Sequence, residues 1–353
     1  MQPLTIIQID CLPFKIPFLK PFTFAGNTIR ERSGFYLTLK TSDGLNAQGE
    51  IAPLEGVSQE TIRRAKHDLT ETRAYLTEFK IPLQKDGLLD LLRHDPHILN
   101  TCASVRFAIE SAVLMLASQA ANKSLAEFLG ADLKDVQTAV LLQGTHQEVV
   151  ADVKQFSLQG FKVFKLKVGD RNIALDVKKI QDIRGFLGQD SYLRLDGNRV
   201  WSLKEACIFA ELVGRQKIDF IEEPVNDVSQ LDSFYQQTRM RVALDETLSV
   251  VRSGIRLPGC CSSPLAEHEG VVAYVLKPMI LGLVPCLDWI EEARFLKRKA
   301  IISAAFESPV GFKVLANLAC LSGQIAGLGT ERWFKNVKPI VNEQGIIKKE
   351  LLI

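Results

Sequence analysis

The segment "FKVFKLKVGD" (161–170) sets Lys165 and Lys167 two positions apart in an otherwise apolar run that a Gly169–Asp170 turn closes. A β-strand alternates its faces, so both lysines point one way while Phe164, Leu166 and Val168 point the other. A solvated edge strand would account for one such segment, but not for its repetition. From about residue 135 onward, short apolar runs alternate with amphipathic stretches such as "IALDVKKIQDIRGFLG" and "SLKEACIFAELVGRQ". The runs are "TAVLLQ", "KVFKLKV", "YLRLD", "IDFIEEP", "RVALDE", "AYVLKP" and "AIISAAFES". Seven or eight β-then-α units in this order predict a parallel α/β barrel. A doubly wound open sheet is the weaker reading, because no G-x-G-x-x-G follows the first strand.

The ends of these strands carry the chemistry. Lys165 and Lys167 end one, Asp196 the next, then Glu222–Glu223, Asp245, Lys277 and Glu307–Ser308. Successive charges are separated by about one βα unit of roughly 30 residues, so each comes from the next strand. In a barrel those C-terminal ends converge on one mouth. Alternation puts Arg194 with Asp196, Ala243 with Asp245, and Val275 with Lys277 on shared faces. It leaves open which of Glu222 and Glu223 faces inward. Three unpaired carboxylates brought together would repel and resist desolvation. A hard divalent cation removes that cost, and an all-oxygen ligand set suits magnesium better than zinc. Lys167 and Lys277, from strands flanking the acidic ones, would face each other across it. A lysine beside other cations has its neutral form favoured and can act as a base. The combination reads as proton abstraction from a carbon acid, with the metal stabilising an enediolate.

Composition excludes several other classes. The 353 residues are 46% hydrophobic and 24% charged, with 43 Lys and Arg against 41 Asp and Glu. The net charge of +2 gathers in no basic stripe, which argues against nucleic acid or an anionic membrane as partner and for a small-molecule substrate. No apolar run is long enough to span a bilayer, and "MQPLTIIQIDCLPFKIPF" has no export signal, so a cytoplasmic setting is expected. Seven scattered cysteines, with Cys260 and Cys261 adjacent and no C-x-x-C, predict reduced thiols rather than zinc or a disulfide framework. The sequence is neutral between a monomer and a homo-oligomer. Two regions differ in pattern. Residues 1–130 run from strands ("TIIQIDCLPF", "SGFYLTLKT") to helices and predict an α+β module; residues 131–330 carry the barrel rhythm. "SQETIRRAKHDLTETRAYLTEF" reads as a helix with Ser58 as its N-cap.

The motifs "KLKVG" (165–169), "RLDGN" (194–198), "IEEP" (221–224), "LDE" (244–246), "LKP" (276–278) and "FESPVG" (306–311) together resemble the enolase superfamily, in its muconate-lactonizing-enzyme-like branch. Within it, "GEIAPLEGVSQET" (49–61), "SVRFAIESAV" (104–113) and "RLDGNRVWSL" (194–203) are similar to the o-succinylbenzoate synthases of menaquinone biosynthesis. The resemblance implies a modified (β/α)7β TIM-type barrel under an α+β capping domain that the C-terminal tail, about 331–353, joins. It implies Asp196, Glu222 and Asp245 as ligands of Mg2+, with Mn2+ as a substitute, and so chooses Glu222 over Glu223. It makes Lys167 the acid/base, Lys277 the cation that stabilises the enediolate, and Lys165 the neighbour that tunes Lys167. Asn198 and Glu246 would orient the ligands. Such an enzyme is a hydro-lyase that converts 2-succinyl-6-hydroxy-2,4-cyclohexadiene-1-carboxylate to 2-succinylbenzoate by syn dehydration.

By the same resemblance "ERSGFYLTL" (31–39) closes over the barrel mouth, with Arg32 or Arg194 as candidates for the substrate carboxylates. Gly49 and Ile51–Leu54 are expected to line the pocket through a capping loop, and Ser303, Glu307 and Ser308 to meet the succinyl side. "GLGT" (327–330) is too short to argue a phosphate cradle. An N-acylamino-acid racemase or dipeptide epimerase would need the same two lysines, one on each face of its substrate. The Asp-x-Asp that dipeptide epimerases often carry is missing from "FESPVG". A non-catalytic scaffold is the rival from another class, and retention of both lysines and all three carboxylates argues against it.

Overall fold

A computed structural model of the chain describes residues 2–24, 27–251 and 264–353. Cys260 and Cys261 lie outside the described residues, as does part of the 20–32 loop; Cys11, Cys102, Cys207, Cys286 and Cys320 are free thiols. Among the described residues no helix is long and apolar enough to cross a membrane.

The N-terminal region forms an antiparallel sheet from β1 (Leu4–Phe24), β2 (Asn27–Thr41), β3 (Asn46–Ile51) and β4 (Lys80–Ile81), in the order β3-β2-β1-β4. The helix Ala103–Ala120 lies between β2 and β3 on one side and helices Pro278–Leu281 and Leu283–Phe295 on the other. That explains why its sequence is apolar all round: Phe107, Ile109, Val113 and Leu116 are each buried, at about 1.5–3 kcal/mol per large side chain. Gly49 makes the approach of helix to strand feasible, since a Cβ there would lie 2.0 Å from the Ala108 carbonyl oxygen. The helix after β3 runs Ile62–Leu76 with Thr61 as its cap, one turn beyond the expected Ser58. Ser58 is diverted: its Oγ accepts from Leu54 N and closes the preceding turn.

The short β5 (Val136–Gln137) leads into seven parallel strands: β6 (Val140–Leu142), β7 (Val163–Lys167), β8 (Tyr192–Asp196), β9 (Ile218–Glu222), β10 (Val242–Leu244), β11 (Val271–Leu276) and β12 (Lys299–Ile302). Residues 326–327 supply the eighth position, bridging Thr138 beside β6 and Ser303 beyond β12, so "GLGT" begins at the barrel seam. Helices follow the strands as the rhythm predicts, and the one at Leu203–Val213 opens on a Ser202/Glu205 capping box. β10 is the exception: the described residues after it hold only 3-10 turns, Glu246–Ser249 and Pro264–Glu267.

Inside the barrel, side chains stack in layers. At the bottom Asp219 accepts from Arg194 (3.2 Å) and Lys299 (2.7 Å). A middle layer packs Phe220, Ala243, Ala273, Val275 and Ile301. The charged strand ends sit on top. The C-terminal tail adds β13 (Ile346–Ile347), antiparallel to β5, and ties the two regions together where Phe18 stacks on Phe334 and Lys335 N donates to Pro17 O.

Candidate active site

Parallel register brings the strand-end charges side by side: Lys167 pairs with Asp196 across β7 and β8, and Asp196 with Glu222 across β8 and β9. Glu222 lines the central cavity, and Glu223, in the left-handed region at φ 44°, turns away from it. Lys165, Lys167, Asp196, Asn198, Glu222 and Lys277 line that cavity together with apolar side chains, among them Leu54, Leu141, Ile280, Ile301 and Phe306.

The charges neutralise each other locally. Lys165 Nζ lies 2.9 Å from Asp196 Oδ2 and 2.8 Å from each oxygen of Glu222, and Lys277 Nζ donates to Asp245. Burial opposes the charge of Lys165, but Asp196, Glu222 and Asp245 outweigh it and hold the ammonium well above its ordinary range. Lys277 is raised likewise, with burial overcome chiefly by Asp245. Lys167 moves the other way: burial lowers it, Asp196 opposes, and the positive charges of Lys165 and Lys277 add to the lowering. Two fixed cations therefore flank one lysine whose neutral amine is within reach. Glu222 is pushed well above the carboxylate range by burial and by Asp196, whereas the lysines hold Asp196 below it despite its burial.

As the side chains stand, no group of three or more His, Cys, Asp or Glu among the described residues is gathered for a metal ion. Lys165 stands between Asp196 and Glu222, and Lys277 pairs with Asp245. The donor set itself fits a hard divalent cation: three oxygen-bearing side chains on adjacent strands, close enough that Asp196 and Asp245 both raise Glu222. Asn198 Nδ2 donates to Glu246 Oε1 at 2.9 Å, beside Asp196 and Asp245.

The remaining expected residues divide. Ser303 lines the cavity, as does Arg194, whose guanidinium is turned down to Asp219 and Ile325 O. Arg32, Gly49, Ile51, Glu307 and Ser308 are not among the lining residues. Gly49 faces the Ala108 backbone and Ile51 is in the capping core. Arg32 is buried and donates to the carbonyls of Ala52, Pro53 and Phe306, so it clasps a capping loop to the barrel instead of offering itself to a carboxylate. Glu50 reaches the same seam and accepts from Ser308 N, Ser308 Oγ and Gly311 N, capping the helix Pro309–Ser322. The segment 31–39 lies within β2, paired with β1 throughout and with β3 from Phe35 onward; the capping residues that line the cavity are Leu54 and Val57. Sequence reasoning missed Gly327, Gly329 and Thr330 as wall residues. Their signal was the glycine spacing: a Cβ at Gly329 would meet the Ala139 carbonyl oxygen at 2.5 Å.

Comparison with known proteins bears on both halves of the chain. Residues 148–256 match the family described as "Enolase C-terminal domain-like", and residues 7–89 match "MenC, N-terminal domain". An o-succinylbenzoate synthase of Aliivibrio salmonicida is 32% identical over 330 residues, covering 91% of this chain and 90% of the relative. One from Haemophilus influenzae is 31% identical over 318 residues, covering 87% and 84%. Among solved structures, a mandelate racemase/muconate lactonizing protein from Herpetosiphon aurantiacus aligns with a TM-score of 0.83 at 22% identity, covering 99% of this chain and 96% of that one. A dipeptide epimerase from Cytophaga hutchinsonii, complexed with Mg and a dipeptide, aligns with a TM-score of 0.82 at 23% identity, covering 98% and 93%. These structural likenesses establish the fold, the barrel with its cap.

Proposed function

The chain belongs to the o-succinylbenzoate synthase family of the enolase superfamily, and from that premise we propose that it dehydrates 2-succinyl-6-hydroxy-2,4-cyclohexadiene-1-carboxylate to 2-succinylbenzoate. The observation that carries the reading is Lys167, its pKa lowered by burial and by two neighbouring ammoniums, on the wall of a cavity lined by both charged and apolar side chains. Asp196, Glu222 and Asp245 would hold Mg2+, or Mn2+ in its place, and the ion would supply positive charge to the substrate carboxylate as its α-carbon loses a proton. The Lys167 amine takes that α-proton. Lys277, held cationic by Asp245, stabilises the negative charge left on the substrate. Lys165 keeps its own proton between Asp196 and Glu222, and its charge favours the neutral form of Lys167. Lys167, now an ammonium on the same face, returns the proton to the departing hydroxide; water leaves and the ring becomes aromatic. The apolar lining residues seat the ring, Leu54 and Val57 among them from the cap.

The assay is formation of 2-succinylbenzoate by purified protein with Mg2+, compared with Lys167→Ala and with an EDTA-treated sample. Dependence on both Lys167 and the metal is expected. A metal-loaded protein that makes no product but exchanges the α-hydrogen of N-acylamino acids or dipeptides would move the assignment to a racemase or epimerase. Lys167 ends β7 and Lys277 follows β11, four strands away around the sheet, and both line the cavity, an arrangement that suits that chemistry too.

A further inference from the structure

Glu223 is the acidic residue of "IEEP" that this mechanism does not use, yet it is buried and its carboxylate accepts four hydrogen bonds. Its Oε1 accepts from Asp245 N (2.9 Å) and Thr247 N (2.7 Å), and its Oε2 accepts from Thr247 Oγ1 (2.9 Å) and Arg199 Nε (2.9 Å). Arg199 binds it a second way, its backbone N donating to Glu223 O at 3.0 Å, and also donates from Nη2 to Thr247 Oγ1. Gly197 N donates to Glu222 O at 2.9 Å. The loops that leave β8, β9 and β10 are thus tied to one another immediately behind Asp196, Glu222 and Asp245.

The backbone gives an independent sign that this knot is imposed. Asn198 (φ 43°), Arg199 (φ 59°) and Glu223 (φ 44°) all occupy the left-handed region without being glycine. Such conformations cost roughly 1–3 kcal/mol each and persist only where the surroundings over-determine them. Asp196, Glu222 and Asp245 repel one another, so their spacing needs enforcement from behind as well as a cation in front.

We propose that Glu223, with Arg199 and Thr247, is the positioning group that sets the spacing of the three carboxylates for a divalent cation. None of the three touches substrate or metal; they act through the backbone of Asp245 and the loops after β8 and β9. The inference rests on the metal reading given above.

The test is Mn2+ affinity of the full-length protein, read by electron paramagnetic resonance of the free ion and needing no substrate. Glu223→Gln sets an amide against the Arg199 guanidinium, and Thr247→Val removes a hydroxyl while keeping its shape. Each should weaken Mn2+ binding by about tenfold or more, in line with the loss typical of groups that support metal ligands. Thr247→Ser, which restores the hydroxyl, should bind within fivefold of wild type. Affinity within fivefold of wild type in both Glu223→Gln and Thr247→Val would overturn the proposal. Should Glu223→Gln not fold, Thr247→Val alone decides by the same threshold. Wild type that binds no Mn2+ would instead remove the metal reading itself, a separable outcome.

Discussion

Glu307 offers a pH test of the seam between cap and barrel. The side chain is buried, Oε2 accepts from Ala305 N at 2.7 Å, and Oε1 has no hydrogen-bond partner among the described residues. Burial raises its carboxyl from 4.5 to about 7, with Glu50 adding and Arg32 opposing. One guanidinium thus serves two buried carboxylates, and Glu307 keeps its proton under mildly acidic conditions. Because its folded-state value lies above the unfolded one, its contribution to stability is full below pH 4.5 and is lost as pH rises through about 7. At 1.36 kcal/mol per pH unit, that interval amounts to about 3 kcal/mol, most of it between pH 5 and 7. Glu307→Gln preserves shape and the acceptor for Ala305 N while removing the titration. Urea unfolding of both proteins from pH 5 to pH 8 should show wild type losing about 2–3 kcal/mol more than the variant. Parallel stability curves would refute the reasoning, since they would mean that Glu307 is ionised throughout or meets water.

Other consequences concern packing and metal. Gly49→Ala would set a methyl 2.0 Å from the Ala108 carbonyl oxygen, so a loss of about 3 kcal/mol is expected in denaturant titration. Phe18 stacks on Phe334 (5.0 Å between centroids) and meets Phe306 edge-on (5.5 Å), so Phe18→Ala should cost about 3–5 kcal/mol and make the C-terminal tail a substrate for limited proteolysis. Mg2+ at a hundredfold over its Kd should stabilise the protein by about 2.7 kcal/mol, read as a rise in Tm; Asp196→Asn should abolish that rise.

The sequence by itself determined the barrel, its polarity and the charges at its mouth, because those follow from local rules. Strand alternation gives facing, βα spacing gives one charge per strand, and parallel connections put every strand end on one side. Lys165, Lys167, Asp196, Asp245 and Lys277 were therefore legible before any coordinate. Alternation could not choose between Glu222 and Glu223, since adjacent residues face opposite ways under either register. The choice was made by a left-handed turn at Glu223 and four hydrogen bonds from distant loops. Only tertiary structure, likewise, could show that Arg32 and Glu50 spend their charge on carbonyls and amide groups across the seam. An Arg reads the same in a sequence whether its partner is a ligand carboxylate or a backbone oxygen 274 residues away, as Phe306 O is. Facing is written along a strand; pairing across a fold depends on which loops the packed core brings together.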